Sequence, residues 1–540
     1  MLYRVLNLHY DLSPEAEGFR NHEIDNIFKT SFSTFRHFKW FRVRATDDFL
    51  GMRDDIDKGC HTHLPASETT SLVQKAMQKF QNGQLSSVRF ETETSLGLLA
   101  YILSTQSNLK DLQIGDVYAN KYSLQNAQIQ IPSLISDNIK LQLESLAFSE
   151  IQPQMLATMQ GLLRKTSNTL RRLQIGHSEY KSDPDLDRWS SWRVRWGHEQ
   201  AIRETLKEEL RANSILTSKF ALPSLEQLYI LNDTDATRLL EFIAFVTDNG
   251  QPYKNLVRLR LSSCYYNSSF LEKIIQKAPN IQSLQISFCS FPSETIESIL
   301  PSMKPLHTLQ ISRCFDADLT DWLPVNFHRQ SLRRLWLECT YNCDPNLCPS
   351  LSKFWDPLIN PYPLSSENWP LLEELAVGYP GWSKIPCIKS LKILRLLPER
   401  QQPEPYRTEE SIETQSHAVG QIQTEKWFRN RIQNYAEDLC RRLSESDNEP
   451  PNLRVVVLER TNLTCIRSNT RVPCYFTINY KRNSGAKSWS PSVVFDTTEN
   501  VLTIASSMGS SSYLLGAGPP APERFWEDDW DLYDDNMFKI

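Results

Sequence analysis

The cysteines are the first residues in this chain whose spacing could do chemistry. The stretch LQISFC ends at Cys289 and LQISRC ends at Cys314, with Cys264 and Cys339 continuing the series on either side. Regular thiols can mean a metal site, disulfides or a structural repeat. Zinc sites use close Cys-x2–4-Cys pairs, and these thiols do not form them. Cys60, His61 and His63 put three ligand types close together, but no second cluster matches them, and the segment between Gly59 and Pro65 reads as a solvated loop. Asp54, Asp55 and Asp57 beside Arg53 and Lys58 read as a solvated turn. The phosphate-cradling G-x-x-x-x-G-K-[ST], the dinucleotide G-x-G-x-x-G, the zinc H-E-x-x-H and the nucleophile G-x-S-x-G patterns do not occur. No catalytic residue, metal or cofactor is expected.

The elements around the thiols explain them better. A template Leu-x-x-Leu-x-Leu, with other apolar residues allowed, fits Leu225/Leu228/Ile230, Leu256/Leu259/Leu261, Ile281/Leu284/Ile286, Leu306/Leu309/Ile311 and Leu332/Leu335/Leu337. These starts are 31, 25, 25 and 26 residues apart. Less even copies begin at Leu85, Leu109, Leu143 and Leu170, later ones at Leu372, Leu391 and Leu453, and fainter ones at Tyr3 and Phe38. The alternating half of the template predicts a short strand with one buried face. Between strands, Phe270-Leu271 with Ile274-Ile275, and Ile296 with Ile299-Leu300, predict helical stripes, with Ser293 as an N-cap. Each cysteine falls two or three residues past the last apolar position. That is the turn of a Cys-type leucine-rich repeat, where a small thiol fits the bend and can donate to a nearby carbonyl. The expected fold is α/β: a leucine-rich-repeat solenoid, ribonuclease-inhibitor-like, with a curved parallel sheet and helices on its convex side.

The bulk numbers agree. A chain of 540 residues with 40% hydrophobic content can build a long core, and a formal charge of −5 supplies no global field for nucleic acid or an anionic membrane. No apolar run is long enough to span a bilayer, and the N-terminus has no secretory pattern. Eleven cysteines are then expected to stay reduced, in the cytoplasm or nucleus. Residues 1–175 read as irregular N-terminal repeats. Residues 176–220 read as a polar insertion whose Trp189, Trp192 and Trp196 would share one helix face. Residues 221–400 hold the regular repeats and 401–424 a charged linker. Residues 425–505 read as a helix, the last repeat and a hairpin that together cap the end. Residues 506–540 read as a disordered acidic tail, with Trp526, Trp530 and Tyr533 among seven carboxylates.

Cys-type repeats of this length with helix-bearing connections resemble those of F-box/leucine-rich-repeat proteins. The opening LYRVLNLHYD resembles the segment that directly follows the F-box in many filamentous-fungal members, and AEDLCRRL with PPNLRVVVLE resembles their C-terminal part. The resemblance implies a substrate receptor of an SCF-type ubiquitin ligase, in which F-box helices bind the adaptor and the repeats present a protein substrate. No F-box lies ahead of Tyr3 in this chain, so an adaptor is a partner only if one is encoded upstream. The alternative is a repeat scaffold with no ligase role. Either way, the outward strand positions are the expected partner-binding residues of a concave face: Arg258, Arg260, Gln285, Phe288, Gln310, Arg313, Trp336, Glu338, Tyr379 and Arg395. Protein partners are expected; nucleic acid and membrane are not.

Overall fold

The computed structural model describes residues 5–11, 40–46, 77–90, 94–114, 117–118, 141–148, 156–176, 222–231, 253–262, 268–287, 289, 293–312, 323–338, 360–362, 364–378, 388–397, 452–461, 471–482, 489–496 and 498–507, with part of 433–441. The chain divides into two compact units. One holds Met1–Arg258 with Gln276–Asn280, the other Leu259–Ile275 with Ile281–Ile540.

Every one of the fourteen template matches is a strand. In the first unit these are β1 (Val5–Asp11), β2 (Trp40–Thr46) and β3 (Ser87–Phe90), then β5 (Asp111–Ile114), β7 (Ser145–Phe148), β8 (Arg172–Gly176) and β9 (Gln227–Leu231). They pair parallel in that order. A separate two-residue pair joins β4 (Thr94–Ser95) to β6 (Val117–Tyr118). In the second unit β10 (Arg258–Ser262) neighbours β11 (Ser283–Ser287). Parallel pairing then runs through β12 (Thr308–Ser312), β13 (Arg334–Glu338), β14 (Glu374–Gly378), β15 (Ile393–Leu397) and β16 (Val455–Thr461). Two antiparallel strands, β17 (Arg471–Arg482) and β18 (Trp489–Asp496), form the expected hairpin at the end.

Register follows the template. Leu284, Leu309, Leu335 and Leu375 align across four strands, and Ile286, Ile311, Leu337 and Val377 align beside them. Leu306, Leu309 and Ile311 are fully buried, as are Leu332, Leu335 and Leu337. Each such side chain contributes roughly 1.5–3 kcal/mol once covered. A repeat can cover them only against its neighbours. The predicted stripes are helices Ser268–Lys277 and Ser293–Ile299, with Leu271, Ile274, Ile296 and Ile299 buried. The expected helix near residue 433 is helical in its described residues, whereas the Trp189/Trp192/Trp196 insertion lies outside them.

Two hydrogen-bond series tie successive repeats together. The carbonyl at the second template position accepts two backbone N–H groups from the next repeat: Lys110 O from Glu144 and Ser145, His307 O from Arg333 and Arg334, Glu373 O from Lys392 and Ile393. The residue just before the first apolar position is often Asn, Ser or Thr, and its side chain donates to a carbonyl of the preceding repeat. Asn108 donates to Gly83 O (2.7 Å), Asn255 to Pro223 O (2.8 Å), Asn280 to Lys254 O (2.7 Å) and Asn452 to Lys389 O (2.9 Å). Ser331 and Ser390 do the same for Leu306 O and Leu372 O. The letters N-L, N-I and S-L ahead of seven of the strands carried this signal, and the template did not include it.

Candidate protein-recognition surface

Cys289 settles what its own thiol does. It is fully buried, and its Sγ donates to Ser287 O at 3.2 Å across the turn that leaves β11. Among the described residues no group of His, Cys, Asp and Glu could hold a metal. Cys264, Cys314, Cys339 and the Cys60–His63 segment lie outside them.

The expected partner-binding residues fall into three groups. Phe288, Arg313 and Tyr379 lie outside the described residues, and for Glu338 only its place at the end of β13 is described. Arg258, at the entry to β10, is exposed. The remaining five were expected on an open face and are instead buried: Arg260, Gln285, Gln310, Trp336 and Arg395 are each at most 8% exposed. These five occupy the fifth template position, on the face opposite the leucines. In β11 and β12 that face is a polar network. Gln310 Nε2 donates to Ser287 Oγ (3.0 Å) and Ser312 Oγ (3.1 Å), and the two serine hydroxyls are 2.9 Å apart. From β13 onward it becomes a second apolar core of Trp336, Ala376, Ile393, Val455, Val457, Tyr475 and Val501.

For Trp336, the cluster that includes Val501 explains the correction. Val501 belongs to the helix Thr498–Ser507, in a stretch that the sequence reading divided between the cap and the tail. The helix lays Val501, with Ile504 beside it, against the face that a partner was expected to take. The strands had announced this. LKILRLL and LRVVVLE are near-continuous apolar runs, which is how parallel strands read when both faces are covered.

Accessible side chains sit instead where the chain enters the strands. At the second template position in the first unit, Lys110 Nζ meets Glu144 at 2.7 Å and Arg171 meets Glu226 at 3.6 Å. The hydrogen bond to Glu144 holds the Lys110 ammonium above its usual pKa range. Beside it, burial raises the Asp111 carboxyl, although Arg172 and Arg89 pull it down. In the second unit Glu373 lies between Arg333 (4.0 Å) and Lys392 (3.3 Å). Next to this pair of contacts, Arg334 Nε donates to the buried Glu374 at 3.1 Å.

The most distinctive patch lies on the segments leading into β13 and β14. The 3-10 turn Leu323–His328 is fixed from within. Buried Asn326 donates through Nδ2 to Asn360 Oδ1 at 2.8 Å, and that oxygen also accepts from Tyr362 N–H at 3.0 Å. Buried His328 accepts Leu306 N–H at Nδ1 (3.3 Å) and lies 3.0 Å from Leu300 O at Nε2. This pairing assigns the proton to Nε2 of a neutral ring, consistent with the lowered pKa that burial gives it. Between these two buried anchors Phe327 is turned outward, 65% exposed. Arg329 donates to Asn326 O (3.0 Å) and stacks on the Tyr362 ring with its guanidinium carbon 3.7 Å from the centroid. Leu371 is likewise exposed, at the entry to β14. Of the four large hydrophobic side chains exposed among the described residues, three lie on the segments leading into β13 and β14: Phe327, Tyr362 and Leu371. The sequence reading passed over the patch because it lies outside the template. The run PVNFHRQ, two aromatic rings amid polar residues before a strand, was the available signal.

Compared with protein-family models and with curated proteins, the chain matches none. No helix among the described residues is long and apolar enough to cross a membrane.

Proposed function

We propose that this chain is a non-enzymatic protein-recognition module on a leucine-rich-repeat solenoid of ribonuclease-inhibitor type, with its helices on the convex side. The observation that carries the reading is the patch of Phe327, Arg329 and Tyr362. Two exposed aromatic side chains, one of them stacked against an arginine, have the composition of a binding hot spot. Holding it on a turn with two buried anchors lowers the ordering cost on binding. Apolar side chains left open together need a reason, and a partner is the ordinary one. The role supported by the resemblance in repeat type is substrate receptor of an SCF-type ubiquitin ligase. A repeat scaffold without a ligase link is the alternative.

The test uses the chain tagged at Ile540 and purified from its own cells, alongside a Phe327→Ala/Tyr362→Ala variant. The proposal expects a defined set of proteins to be lost from the variant while its thermal stability is kept. An unchanged set would remove the patch from recognition. Co-purification of the ligase adaptor with both forms decides for the receptor over the scaffold.

A further inference from the structure

The patch does not stand alone. The segments that enter β13 to β16 also carry Arg333, Lys389, Lys392 and Arg454, which with Arg329 make five cations. Among the described residues of these segments, the carboxylates are Glu367 and Glu373, once the Arg334–Glu374 pair is set aside. The described residues of these segments are therefore aromatic and carry more cations than carboxylates.

One segment of this chain has the complementary chemistry. Glu523–Phe538, ERFWEDDWDLYDDNMF, holds seven carboxylates against one arginine, with Trp526, Trp530 and Tyr533 among them. Its tether starts from the same compact unit as the patch. The described chain ends in the helix Thr498–Ser507, whose Val501 belongs to one buried cluster with Trp336, Ala376, Ile393 and Val455 of β13, β14, β15 and β16 and Tyr475 of β17. Strands β13 to β16 are those whose entry segments carry the patch. Residues 508–522, rich in Gly, Ser and Pro, reach about 50 Å when extended. A short flexible tether of this kind gives a millimolar effective concentration. Carboxylates would meet the cations, and the indoles would stack on Arg329 and against Phe327, Tyr362 and Leu371.

We propose that the C-terminal segment Glu523–Phe538 is an intramolecular ligand of the patch around Phe327, Arg329 and Tyr362, and that an external protein must displace it. The inference rests on the patch being a recognition surface and adds what occupies it and what chemistry a competitor must bring: acidic, with aromatic side chains.

The full chain serves for the test. A carbodiimide joins carboxylates to lysines in direct contact, and mixing isotope-labelled with unlabelled chains separates links within one copy from links between copies. Tail carboxylates are expected to couple within one copy to Lys389 and Lys392 about tenfold more than to the exposed Lys273 and Lys481, given the tethered concentration. The excess should vanish in 1 M salt, a concentration at which the screening length is about 3 Å, and in Phe327→Ala, an exposed position whose loss leaves the fold intact. Even coupling to all four lysines overturns the proposal. So do an excess that survives Phe327→Ala and links found only between copies. The experiment needs no external partner. Absent links with retained Phe327-dependent capture reject the tail alone, and links without such capture reject only the recognition reading.

Discussion

The guanidinium of Arg395 lies over the indole of Trp336, its carbon 4.7 Å from the ring centroid, with both side chains buried. They come from strands two places apart in the sheet, with Ala376 of β14 aligned between them. The small Ala376 leaves the two larger side chains room to meet above it. Both residues read as partner contacts in the sequence, yet in the fold they hold a second core together.

Trp336→Ala is therefore expected to act on stability. Removing a buried indole costs about 3–5 kcal/mol, and here it also leaves Arg395 buried without its ring. Urea unfolding should show the loss. A variant with an unchanged midpoint that has lost only a binding partner would return Trp336 to the surface.

Acid should loosen the fold through His328. Its folded-state pKa is lowered by burial from an ordinary value of 6.5. The unfolded chain therefore takes up the proton first. The stability that His328 contributes is fully present above about pH 6.5 and is lost progressively as pH falls below it. Urea midpoints at pH 7.5 and 5.5 measure the slope, and in His328→Gln the part due to this ring should disappear. An equal slope in that variant would assign the acid sensitivity elsewhere.

The described thiols should be inert. Cys289 is fully buried, and burial pushes the Cys440 thiol up to about 11. Because the thiolate is the reactive form, neither should be alkylated at pH 8 in the native protein, and both should be in urea. Rapid native labelling of either, or protection of Cys289 by added zinc, would contradict a structural role.

The side-chain bonds between repeats should be interchangeable in size. Asn280→Ala and Asn452→Ala each remove one donor to a carbonyl of the preceding repeat. Each is expected to cost about 0.5–1.5 kcal/mol, similar at two widely separated strands. If neither shifts the unfolding midpoint, water replaces these bonds at no cost, and the Asn series is incidental.

Much of the fold could be read in the sequence because its signal is local. Leu284 and Ile286 repeat at Leu309 and Ile311 with polar residues between them, and period-two alternation fixes both strand and register. The thiol of Cys289 followed from its place in the same pattern. The candidate surface was far less legible. Asn326 and Asn360 meet across 34 residues, and nothing in PVNFHRQ says that a second asparagine will fix it with Phe327 turned outward.

What the sequence by itself determined, then, is where each strand lies and which of its faces carries the leucines, since both depend on neighbours along the chain. Whether the other face stays open was decided only by the tertiary structure. Trp336 is buried in a cluster that takes in Tyr475 and Val501, far along the chain, and exposure depends on what arrives from a distance rather than on a residue's own type. The same folding stacked Arg329 on Tyr362 and turned Phe327 outward at the strand entry, where the sequence had marked only a connection.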